Sequence, residues 1–167
     1  MFMVQLSCGG GGSGGPTAPS GALVFTPDRA PGASSFSMRQ GSATSGDRLE
    51  LEIVATSVSD VSSVSFVVSY PASLLRFSAQ RQGTFLGSAA TLVATPLPAP
   101  FQGLVVIDAR PNAAGGVTGS GVVMTLTFDA AAPGSSRIDF ASPEARDSQD
   151  RAMAGLGWVG GTVTVVR

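Results

Sequence analysis

The sequence predicts an all-β fold, a β-sandwich of about nine short strands, and three observations lead there. Apolar residues alternate with polar ones at period two over several stretches, the signature of half-buried strands. Gly (22) and Pro (11) punctuate the chain at short intervals, as turns require. Val and Thr are abundant, every basic residue is an arginine, and no stretch shows a convincing helical period.

The strands follow in order from about Ala22. Leu23-Val24-Phe25 is a first strand, stopped at Pro27-Asp28, and Phe36-Ser37-Met38 a short second piece. After Ser45-Gly46-Asp47, Leu49, Leu51, Ile53 and Ala55 alternate with Glu50, Glu52, Val54 and Thr56. A slip of one residue would bury both glutamates, so the register is fixed. From Val61 to Tyr70, Val64, Phe66, Val68 and Tyr70 share the inner face, while Ser63, Ser65, Val67 and Ser69 share the outer one. Pro71 ends that strand because proline cannot donate to a ladder. Leu74, Leu75 and Phe77 return toward the core, and Thr91 to Thr95 precedes the proline-rich loop Pro96 to Pro100. Gly103 to Arg110 places Val105 and Ile107 inward, and Gly121 to Ala130 groups Val122, Met124, Leu126 and Phe128. Ile138 and Phe140 form a short strand after Pro133-Gly134, and Thr162 to Val166 closes the chain with Val163 and Val165 inward.

The first 21 residues read differently, so the sequence divides into a tail, 1–21, and a sandwich, 22–167. Cys8 is followed by Gly9 to Pro16, a run too rich in glycine to hold a fold and expected to act as a flexible linker. A cysteine ahead of such a linker is similar to the acylation site of a bacterial lipoprotein, although a charged start and a longer apolar stretch are lacking. On that reading Cys8 carries a lipid, the only membrane contact expected, and the module is extracytoplasmic, either anchored or secreted.

Several function classes are excluded or weakened by composition. One cysteine and no histidine rule out an intrachain disulfide, a Cys/His zinc site and a Ser-His-Asp triad. Net charge is −1 with no basic run, which leaves no footprint for nucleic acid. Asp147 and Asp150, with Glu144 nearby, are candidates for paired-carboxylate hydrolysis or calcium binding. Their polar neighbours Ser148, Gln149 and Arg151 instead mark a solvated turn. Gly115 to Gly121 leads into a strand where a phosphate cradle needs a helix. The expectation is a non-catalytic module that needs no cofactor.

Four stretches together resemble the cohesin domain family. They are Gly46-Asp47 with the alternating Arg48-Leu49-Glu50-Leu51, and Val64 to Tyr70 followed by Pro71-Ala72-Ser73-Leu74-Leu75. The other two are Gly119-Ser120-Gly121 leading to Phe128, and the closing Gly160-Gly161-Thr162-Val163-Thr164-Val165. Pro71 stands where the family often has Asp, which bears on the local turn. The resemblance implies a nine-stranded jelly-roll sandwich, related to carbohydrate-binding modules, that captures a dockerin-like protein on one flat sheet face. It places that face on the outer side of two strands, with Ser65, Val67 and Ser69 on one and Val106, Asp108 and Arg110 on the other. The alternative is polysaccharide binding, for which Tyr70 and Trp158 are the only Tyr and Trp; Tyr70 is expected in the core, and Trp158, in the flexible stretch Gly155 to Gly160 before the last strand, against the sandwich end rather than on sugar.

Overall fold

The computed structural model describes residues 22–100, 103–111 and 115–166, and of Val106 the backbone alone. Cys8 and the glycine-rich segment therefore lie outside the described residues, as does the Val106 side chain. The described chain is all β. Its ten strands are β1 (Ala22–Pro27), β2 (Ser35–Gln40), β3 (Arg48–Ser69), β4 (Leu75–Gln82), β5 (Thr91–Pro96), β6 (Leu104–Arg110), β7 (Val117–Ala130), β8 (Gly134–Asp147), β9 (Gly157–Val159) and β10 (Gly161–Val166).

The two stretches read as separate strands, Leu49 to Thr56 and Val61 to Tyr70, are one continuous strand of 22 residues. Its first half pairs antiparallel with β2 on one side and β7 on the other. Its second half pairs antiparallel with β6 and β8. One strand thus serves both layers of the sandwich. The crossing falls where the pairing with β7 shifts register, between Ala55 and Val61. Ser57 (φ 48°) and Asp60 (φ 57°) both adopt left-handed backbone there, the device by which a bulge bends a strand. Side-chain hydroxyls satisfy the freed amides: Ser120 Oγ accepts from Ser57 N at 2.8 Å and Thr118 Oγ1 from Asp60 N at 2.9 Å.

The first layer reads β4-β7-β3-β2-β9, with β2 and β9 parallel. The second reads β5-β6-β3-β8. The start of β8 turns away to pair with β10, which pairs in turn with β1. Gly161, opposite Pro27 and Ile138, allows that close packing: a Cβ there would sit 2.5 Å from Phe25 Cζ and 2.3 Å from Thr26 O. Pro71 makes a working turn, its carbonyl accepting from both Leu74 N and Leu75 N at 2.9 Å.

Inward residues of both layers form one core. Leu49, Leu51, Ile53 and Ala55 from the first half of β3 join Val64, Phe66 and Val68 from the second, with Val105, Ile107, Met124, Leu126, Phe128, Ile138, Val163 and Val165. Removing this apolar surface from water is the main term holding the layers together. Val122, grouped with the inward residues of its strand from sequence, is only partly buried, whereas Val123 is fully buried. The register shift between Ile53/Met124 and Val54/Val122 leaves Val123 as the extra residue and changes which side chain points in. Glu50 and Glu52 keep to the outer face, where Arg39 Nη2 lies 2.5 Å from Glu52 and Arg81 Nη2 3.8 Å from Glu50.

Two elements differ from expectation. β8 runs 14 residues, well beyond Ile138 and Phe140, because its polar second half gains its place by pairing with β3. The stretch around Trp158, read as a flexible connection, is a strand. It pairs Gly157, Trp158 and Val159 with Ser35, Phe36 and Ser37.

Candidate functional site

β3 is the central strand of the second layer, so period two alone decides what that layer shows to solvent. Val64, Phe66 and Val68 point into the core; Ser63, Ser65, Val67 and Ser69 point out. Ser65 is exposed, and Val67 and Ser69 are half-buried by their neighbours. On β6, Val105, Ile107 and Ala109 are buried while Asp108 is half-buried and Arg110 exposed. The antiparallel register sets Ser65 beside Asp108 and Val67 beside Val106. The sequence-predicted residues of the two strands are therefore neighbours on one face, the Val106 side chain remaining outside the described residues.

Sequence reasoning missed the third strand of this face. β8 flanks β3 on the other side, with Glu144 opposite Ser65 and Arg146 opposite Ser63. Ser63, Ser65, Asp108, Arg110, Arg146 and Asp150 line a shallow depression of about 470 Å³. Its floor is low because the serines are short, and its walls are charged. Arg110 Nε lies 3.3 Å from Asp108 Oδ1, and Arg146 Nε 2.6 Å from Glu144 Oε1. Arg146 Nη1 also donates to the Asp150 carbonyl at 2.8 Å and stands 3.5 Å from its carboxylate. A local signal for β8 was present: Glu144-Ala145-Arg146 repeats the acid-Ala-Arg order of Asp108-Ala109-Arg110.

The carboxylates that the sequence offers for hydrolysis are each engaged by an arginine. Asp147 is a clasp for the turn that follows β8: its Oδ1 accepts from Gln149 N and Arg151 N, both at 2.9 Å, and its Oδ2 from Arg151 Nε at 2.8 Å. These bonds, the Arg151 amide foremost, hold its pKa below the usual carboxylate value against an opposing desolvation. Asp150 is turned toward Arg146 at the rim of the depression, and Glu144 lies on the strand. Among the described residues, no group of three or more acidic, His or Cys side chains is placed to hold a metal ion.

The rings that sugar stacking would need are engaged elsewhere. Trp158 packs on Phe36, Phe66 and Phe140 with centroids 4.7, 5.9 and 5.1 Å away. Tyr70 lies 5.0 Å from Phe128. No aromatic side chain among the described residues is exposed, so those residues offer no stacking platform.

No protein-family model matches the sequence, and no curated protein matches it. Solved structures do match. A non-cellulosomal cohesin from the hyperthermophilic archaeon Archaeoglobus fulgidus aligns with a TM-score of 0.59 at 13% identity, covering 84% of this chain and 88% of that one. A type II cohesin domain from the cellulosome of Acetivibrio cellulolyticus gives 0.62 at 14% identity, covering 81% and 95%. The sixth cohesin of scaffoldin B of the same organism, solved in complex with a mutant dockerin, gives 0.62 at 14%, covering 76% and 96%. The chain thus has the β-sandwich fold of cohesin modules, although little of their sequence.

Proposed function

We propose that this chain is a non-catalytic binding module that captures a partner protein of dockerin type on the outer face of the β5-β6-β3-β8 layer. The observation that carries the reading is the sandwich shared, over most of the chain, with cohesins, one of them solved with a dockerin bound. The face agrees with it. Ser63, Ser65, Val67 and Ser69 run down its centre with little side-chain entropy to lose on binding, and charged groups flank them. Polysaccharide binding gains no support, because the rings of Trp158 and Tyr70 pack against other rings.

The proposal includes display outside the cytoplasm, with Cys8 as lipid anchor and the segment from Gly9 to Pro16 as a flexible tether. Sequence alone supports that part, and labelling with a radioactive fatty acid, lost in Cys8→Ser, tests it.

For the binding face, the immobilised protein is challenged with dockerin-bearing proteins. Retention by the wild type and its loss in Ser65→Arg, with an unchanged melting temperature, supports the reading. Equal retention by Ser65→Arg, or wild-type retention on cellulose, chitin or xylan, overturns it.

A further inference from the structure

β6 and β8 both run antiparallel to β3 and therefore parallel to each other, and they carry the same three-residue order in the same register. Val64 of β3 faces Ala109 on one side and Ala145 on the other, all three buried. One residue along, Ser65 faces Asp108 and Glu144. One residue the other way, Ser63 faces Arg146, and Arg110 lines the same depression. By backbone position the outer face thus holds a row of two acidic residues about a serine and, two residues further along the strands, a row of two arginines about another serine, each arginine reaching back to the acid of its own strand. Two residues of strand separate the rows by about 6.6–6.8 Å, and the flanking strands stand about 9.4–9.8 Å apart.

Each arginine is tied to the acid of its own strand, and the two ties differ. Arg110 and Asp108 are 65% and 47% exposed, and an ion pair so open to water contributes little, so turning Arg110 toward a partner costs little. Arg146 holds the buried Oε1 of Glu144 at 2.6 Å and keeps its place. The strands fix the order of the charges, because residues two apart stay on one face whatever their side chains do.

We propose, resting on the binding face described above, that these rows act as an electrostatic key. The partner it fits presents a carboxylate and a cation about 6–7 Å apart, the carboxylate over Ser63 between the guanidiniums and the cation over Ser65 between the carboxylates. Asp150 already engages Arg146, so the carboxylate seats toward Arg110. A partner patch of one sign meets a like-charged row in any position, and such juxtapositions reject wrong partners and fix register.

The test uses four alanine-rich helical peptides bearing, one turn apart, Lys and Glu, Lys and Lys, Glu and Glu, or Gln and Gln. Residues i and i+4 of a helix are about 6 Å apart, which matches the row spacing. Each peptide is titrated into the isotope-labelled full chain, and amide chemical shifts are followed at Ser63, Ser65, Arg110 and Arg146. The Lys/Glu peptide is expected to shift these amides and to bind roughly ten-fold more tightly than the others at low salt, the preference shrinking as salt is added. The quadruple variant Asp108→Asn, Arg110→Gln, Glu144→Gln, Arg146→Gln is expected to lose the preference, its fold checked by Trp158 emission. Equal shifts with all four peptides overturn the key while leaving a peptide-binding face. No shift at this face with any peptide likewise overturns the key, while the face itself stands or falls with the retention of dockerin-bearing proteins.

Discussion

The Trp158 indole lies stacked on the Phe36 ring, centroids 4.7 Å apart and planes 19° from parallel. The two residues are also direct neighbours in the parallel β2–β9 pair. On its other sides the indole meets Phe66 of β3 and Phe140 of β8, both in the opposite layer. One side chain therefore ties the first layer, through Phe36, to the layer that carries the candidate binding face. Such aromatic contacts add stability beyond the area they bury.

Trp158→Ala should consequently lower unfolding free energy by about 3 kcal/mol, the lower end for an aromatic truncation because the ring is partly open to solvent. Trp158→Phe should cost distinctly less. Urea titration followed by circular dichroism measures both. Since Trp158 is the only tryptophan, the native emission should be blue-shifted relative to the unfolded chain.

Gly161→Ala should destabilise the protein by about 1–3 kcal/mol, the usual cost of forcing extra volume into a packed site. The new Cβ would meet the Thr26 carbonyl at 2.3 Å and the Phe25 ring at 2.5 Å, prising β1 from β10. Hydrogen exchange should show the loss of protection concentrated in Leu23 to Thr26 and Thr162 to Val165. A uniform loss over the whole core would contradict the local origin.

At the crossing of β3, Ser57→Val should cost about 1–2 kcal/mol, because a β-branched residue disfavours the left-handed backbone that Ser57 adopts at φ 48°. Ser57→Gly should be tolerated, as glycine enters that region freely. Thermal melts of the two variants side by side read the difference, and equal destabilisation would show that the bend does not depend on that backbone conformation.

Asp147 has a pH signature. Its pKa is lowered in the folded state by the amides of Arg151 and Gln149 and the Arg151 guanidinium. The unfolded chain then binds the proton more readily at low pH. The stabilisation is fully present above the ordinary carboxylate pKa and is lost as pH falls through the lowered folded value. Asp147→Asn should be less stable than wild type at neutral pH, and the difference should shrink on acidification. Thermal melts at pH 7 and below pH 3 check this; a difference independent of pH would remove the carboxylate's charge from the account.

Much of the fold was legible because the relevant signals are local. Leu49, Leu51, Ile53 and Ala55 reveal an inner face through spacing alone, as do Val64, Phe66 and Val68. β9 was not legible: its three residues sit among glycines and have no alternation, and it exists because Trp158 finds Phe36 across the sheet. The long β8 was read short for a like reason, as its second half is polar and owes its strand conformation to β3. Half of the candidate site shared that fate. Ser65, Asp108 and Arg110 stood out as outward positions of strands, whereas Glu144 and Arg146 entered only with the pairing partner.

The sequence by itself determined which residues turn inward wherever the ladder is regular, because side chains alternate along a pleated backbone; at Val122 and Val123 the bulge against β3 decided instead. It also determined, in one cysteine and no histidine, which chemistries the chain lacks. Only the tertiary structure decided that β6 and β8 would flank β3 in matching register, and that one strand would serve both layers. Strand neighbours are chosen by hydrogen bonds and packing between residues far apart in the chain, and a period-two pattern is the same whichever strand lies next to it.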